Sequence, residues 1–114
     1  MADEVIYVNA EEGAKRVMNN AKLYVKLLTK FKTDTKLDDL EAALAAGDLE
    51  KAQAAAHTVK GIAANLSLSE LFKQTLELET QIKAKAVDSS QMETVKTAFA
   101  ATLQEVDKVI AQNG

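Results

Sequence analysis

One histidine, one lysine and one glycine carry the chemistry that this sequence suggests. His57 is the only histidine in the 114 residues. It lies in the run AAAHTVKGIAANLSLSE, from Ala54 to Glu70. Read as a helix at about 100° per residue, the run gathers Leu49, Ala52, Ala56, Val59, Ile62, Ala63 and Leu66 on one side. His57 then projects roughly 140° from the centre of that cluster, towards solvent. Its outward neighbours are Glu50, Gln53, Ala54, Lys60, Gly61 and Ala64. A neutral imidazole is a nucleophile and titrates near physiological pH. Lys60, three residues on, can reach a group attached to the ring, or it is an ordinary solvated charge. Gly61, one turn on, costs about 1 kcal/mol relative to alanine inside a helix. It is neither a cap nor a turn, so its simplest use is clearance around the imidazole. An exposed nucleophile, a clearing of small residues and an adjacent cation suit a site that accepts an anion and docks against another protein.

A second candidate lies on the next helix. Glu79 projects close to the apolar stripe of Leu68, Phe72, Thr75 and Ile82. A carboxylate at the edge of a buried face needs a partner. It can reach across to the imidazole and fix its tautomer, or it can pair with Lys83 at i+4.

These residues need helices to hold them, and the composition supplies helices. Alanine, leucine, lysine, glutamate and glutamine dominate, proline is absent, and aromatics make up only 4%. Hydrophobic residues at 47% and charged residues at 27% are ordinary for a globular chain. A single domain over residues 1–114 follows from the length. The spacing predicts a short helix from about Ala10 to Met18, weakened by Gly13. A second carries Leu23, Tyr24, Leu27, Leu28 and Phe31 at three- and four-residue steps. A third, short helix runs from about Leu37 to Ala46, with Leu40 and Leu44 inward and Gly47 as its stop. Asp48 caps a fourth that continues to about Leu66. Ser67 and Glu70 have the spacing of a capping box that would start the fifth. The last carries Met92, Val95, Phe99, Leu103, Val106 and Ile110. The expected fold is all-α, an antiparallel four-helix bundle with one or two additional short helices.

Several classes of function are disfavoured. There is no cysteine, so thiol and disulfide chemistry are out, which suits a reducing compartment. A net charge of −3 argues against a nucleic-acid partner. No apolar run approaches the ~20 residues needed to cross a bilayer, and the acidic start has no basic segment of a secretory signal. The expected address is cytoplasmic, with no membrane partner. One histidine without an E-x-x-H pair does not make a metal centre. No recognisable nucleophile accompanies His57 for a triad, and there is no phosphate-binding G-x-x-x-x-G-K-[ST] loop.

The string AHTVKGIAANL resembles the signature of histidine-containing phosphotransfer (HPt) domains. The matching positions are Ala56, His57, Lys60, Gly61, Ala63 and Leu66. LEAALAAGDLEKAQAAAH resembles the family's approach to its histidine, and LELE its following helix. The resemblance runs from about Val8 to Ile110. It implies a phosphocarrier without turnover of its own. Its partners would be response-regulator receiver domains and a histidine kinase. It implies His57 as phosphoacceptor, Lys60 as the charge that stabilises the phosphoryl group and Gly61 as the clearing. Glu79 matches a position from which some members hydrogen-bond the imidazole, and Lys83 adds a second positive charge. Gln53, Ala54, Ala64 and Lys83 would form a docking surface. No cofactor is expected on this chain, and magnesium would belong to the receiver. The family usually has glycine ten residues after the histidine, where this chain has Ser67. The rival readings are an adaptor bundle that docks receivers without carrying phosphate, and the phosphoacceptor module of a larger histidine kinase. The initial Met1 favours a stand-alone protein.

Overall fold

The computed structural model describes residues 7–16, 20–33 and 36–113. Within them run helices α1 (Ala10–Arg16), α2 (Ala21–Phe31), α3 (Lys36–Ala45), α4 (Leu49–Asn65), α5 (Ser69–Lys83) and α6 (Ser89–Asn113). No strand occurs among the described residues. The expected end of the first helix, Met18, lies outside them. The third helix starts and stops one residue earlier than its pattern suggested.

Among the described residues, four helix starts have side-chain caps: Asn9 Oδ1 accepts from Glu12 N–H at 3.1 Å before α1 and Asp88 Oδ1 from Ser90 N–H at 2.9 Å before α6, and the other two precede α2 and α4. Asn20 Oδ1 accepts from Leu23 N–H at 3.0 Å, and Asp48 Oδ1 accepts from Lys51 N–H at 3.1 Å. Each satisfies a backbone donor that the first turn leaves without a partner.

The three reversals from α3 through α6 use one device. Gly47, Ser67 and Lys85 all take left-handed φ values, +73°, +57° and +56°. At each, the following N–H reaches back five residues: Asp48 to Ala43 O (3.0 Å), Leu68 to Ala63 O (2.8 Å), Ala86 to Gln81 O (3.0 Å). This is the Schellman closure, which turns the chain back within a few residues. Each turn brings its two helices together, so α3 packs on α4, α4 on α5 and α5 on α6.

The capping box expected at Ser67 does not form. Ser67 is the left-handed residue that ends α4, and α5 begins at Ser69 with no side-chain cap hydrogen bond. A residue in this conformation is already committed to closing the preceding helix. It therefore makes the left-handed turn that a glycine at this position would allow. Its hydroxyl donates instead to Glu12 Oε1 of α1 at 2.9 Å.

α4 packs along both α3 and α5, α5 along α6, and α6 along α2. α4, α5 and α6 are the long helices of the bundle; the shorter α3 packs on α4 and the shorter α2 on α6. Ala52, Ala56, Val59 and Ala63 give α4 a buried face of small side chains, on which neighbouring helices approach closely. Leu28, Leu40, Leu68, Leu71, Leu78, Val95 and Val106 fill the aliphatic core. The second helix differs from its pattern at one position: Leu23 is 40% exposed. Tyr24 and Leu28 turn inward, which carries Leu23 beyond the edge of the buried arc.

α1 is fixed to the α4–α5 turn. Asn9 N–H donates to Ser67 O at 2.9 Å, and Tyr24 Oη donates to Leu66 O at 2.6 Å. The Tyr24 ring lies against Gly13 so closely that a Cβ there would collide with it. Burial, and then the negative Glu12, push the Tyr24 hydroxyl up to about 12, so it stays a donor across the physiological range.

Candidate functional site

The packing of α4 decides where its histidine points. With Ala52, Ala56, Val59 and Ala63 against the core, the His57 side chain is left 73% exposed, as the helical projection predicted. Gly61 shares that outer face. A Cβ built on it would meet nothing within 4 Å. No neighbouring helix therefore requires glycine here, and the missing side chain leaves open surface one turn from the imidazole.

Beneath the histidine is a carboxylate that the solvent hardly touches. Glu79 of α5 has a side chain only 3% exposed. Three cationic or potentially cationic groups surround it. His57 Nδ1 is 3.3 Å from Oε2, Lys83 Nζ is 3.7 Å from the same oxygen, and Lys60 Nζ is 2.7 Å from Oε1. Oε1 is buried and accepts no well-aligned hydrogen bond, so Lys60 meets it as an ion pair. Burial alone would raise the Glu79 pKa. The close Lys60 ammonium, with further help from Lys83 and His57, overrides that and holds the carboxyl below its usual range. Glu79 is therefore an anion at neutral pH. Both partners considered from the sequence, the imidazole and Lys83, meet it.

What sequence reasoning missed is the pairing of Lys60 with Glu79. The i+3 spacing from His57 allows this ammonium to reach a group attached to the ring or to stay in solvent. Instead the side chain, only 21% exposed, runs along the α4–α5 seam to the buried carboxylate. The signal was the helical projection of Lys60 itself, which lies nearer the core edge than that of His57.

The other predicted site residues divide. Gln53, Ala54 and Lys83 line one shallow depression together with His57, Glu79 and Glu50. Ala64 lines a different one, beside Glu12, Arg16 and Ser67 at the end of α4. Among the described residues no three His, Cys, Asp or Glu side chains cluster so as to hold a metal ion. No helix among them is long and apolar enough to cross a membrane.

The site is thus an exposed imidazole with one nitrogen facing a buried anion, on a helix face cleared by a glycine that the fold does not demand. No curated protein and no solved structure matches the chain. The family model for the Hpt domain matches residues 27–109, from α2 to near the end of α6, and spans His57, Lys60, Gly61, Glu79 and Lys83. Hpt domains work in histidine phosphotransfer in two-component systems, as phosphocarriers between kinases and response regulators. On the extent of that match, and with the helical bundle expected of it, this chain belongs to the Hpt domain family.

Proposed function

We propose that the protein is a phosphocarrier that accepts a phosphoryl group on His57 and exchanges it with an aspartate of a response-regulator receiver domain. The observation that carries this reading is the 3.3 Å approach of Nδ1 to the buried Glu79 carboxylate, beneath an otherwise exposed ring. A carboxylate there favours the tautomer with the proton on Nδ1. The lone pair of Nε2 is then free on the side that a partner can reach.

The transfer needs little from this chain beyond position and charge. The Nε2 lone pair attacks the phosphorus of the receiver's aspartyl phosphate. The N–P bond forms as the acyl P–O bond breaks, and that electron pair stays on the aspartate as a carboxylate. The Nδ1 proton stays in place, and Glu79 balances the positive charge the ring acquires. Magnesium, where the reaction uses it, would sit on the receiver. The open surface at Gly61 gives the receiver room to approach, with Gln53 and Ala54 beside the imidazole as the rest of the contact.

Incubation with a phosphorylated receiver and magnesium tests the reading. The chain should acquire an acid-labile, alkali-stable label, and His57→Gln should acquire none. Label that persists in His57→Gln would remove His57 from the role. No label from any receiver of the source organism would favour an adaptor that docks receivers without carrying phosphate.

A further inference from the structure

The two lysines near the imidazole are not equivalent, and the structure gives them different work. We propose that Lys83, not Lys60, is the cation that meets the phosphoryl group on His57, and that Lys60 is a positioning residue that pairs with the buried Glu79 carboxylate beneath the ring. This rests on His57 being the acceptor.

Three observations carry the assignment. The first is what each lysine would leave behind if it moved. Lys60 Nζ lies 2.7 Å from Glu79 Oε1, a buried oxygen with no hydrogen-bond donor of its own. Swinging Lys60 out to an anion would strand a buried carboxylate oxygen, and an unpaired buried charge is costly. Lys83 stands 3.7 Å from Oε2, an oxygen that His57 Nδ1 also faces. When Lys83 leaves, the imidazole stays. A phosphorylated ring, positive with its Nδ1 proton retained, is a better partner for Oε2 than a neutral one.

The second observation is exposure. Lys83 is 56% exposed on the last turn of α5, against 21% for Lys60 in the seam. Only the former can bring its ammonium to an anion held above the surface without losing a packed position. The third is place. The depression that contains the imidazole is lined by Lys83 and not by Lys60. Glu50 lines it too, and its negative charge opposes an incoming phosphoryl group. Lys83 is thus the cation in that depression which offsets Glu50 as well as the phosphate.

A small phosphodonor separates this role from docking, because it has no protein surface to dock. Phosphoramidate is the probe. Nε2 attacks its phosphorus, the new N–P bond forms, and the old P–N bond breaks with ammonia leaving. Labelling is followed by 31P NMR on the full chain, with 15N shifts of the imidazole reading its tautomer and a 13C titration reading the Glu79 carboxyl. Lys83→Gln should slow labelling about tenfold, within the range for removing one charge-stabilising group. It should leave the tautomer unchanged and shift the Glu79 titration less than Lys60→Gln does. Lys60→Gln should raise the Glu79 titration and redistribute the tautomers, and Lys60→Arg should restore both. Lys83→Gln labelled at the wild-type rate overturns the proposal. So does Lys60→Gln that slows labelling while Glu79 and the tautomer stay as in the wild type. A wild-type chain that takes no phosphoryl group on His57 overturns the acceptor assignment itself.

Discussion

Gly13 and Gly61 both sit inside helices, where glycine costs about 1 kcal/mol relative to alanine. In α1 the cost has an internal reason. The Tyr24 ring occupies the space where a Gly13 side chain would begin, and its hydroxyl is tied to Leu66 O at 2.6 Å. In α4 the corresponding space at Gly61 is empty to 4 Å. One glycine lets the chain pack on itself. The other leaves a surface open among the described residues, beside an exposed imidazole. The first glycine is required by the fold, and under the proposed function the second leaves room for a partner.

Substitutions can break that contrast. The largest effect is expected at the packed position. Gly13→Ala should destabilise the protein by about 2 kcal/mol, in the range for overpacking a filled site. Urea unfolding measures it, and an unchanged midpoint would mean that the Tyr24 contact is not what requires glycine. At Gly61 the sign should reverse. Gly61→Ala should stabilise by about 1 kcal/mol, the helix propensity difference alone. Gly61→Gln should also stay folded but accept phosphate from a receiver several-fold more slowly. Transfer at the wild-type rate would show that the open face is not needed for approach.

The smallest effect concerns the charge beneath the imidazole. Glu79 titrates lower in the folded protein than its ordinary 4.5, despite its burial, because Lys60, Lys83 and His57 favour the anion. A depressed folded value contributes stability that is complete above the ordinary value and is lost as pH falls through the folded one. Unfolding midpoints should therefore drop on acidification below about pH 4.5, and this component should be missing in Glu79→Gln. Equal acid dependence in the two proteins would place the loss in other carboxylates.

Much of the bundle was legible because helical periodicity is a property of consecutive residues. The inward faces of α4, α5 and α6 follow from apolar spacing, and so does the outward direction of His57. Asp48 and Gly47 announce one helix boundary by residue type. The α4–α5 boundary is legible but the role of Ser67 in it is not, because serine is a common cap and nothing in its type marks a left-handed backbone at +57°. Lys85 hides the same conformation in the next turn. Both are held by the five-residue backbone closure and by the helices packed on either side, not by local preference. Leu23 fits the apolar stripe by its spacing, but spacing alone does not fix how α2 is turned about its axis against the core.

At the site, the sequence by itself determined the single histidine, its outward face and the costly glycine one turn beyond it. These depend only on composition and on the geometry of one helix. Which lysine touches which group was decided by the tertiary structure. Lys60 and Lys83 are each one turn from a site residue on their own helix, and that spacing says nothing about distances across the α4–α5 seam. Packing α5 against the alanine face of α4 buries Glu79. The low polarity of that position then draws the nearer ammonium inward and leaves the farther one at the surface.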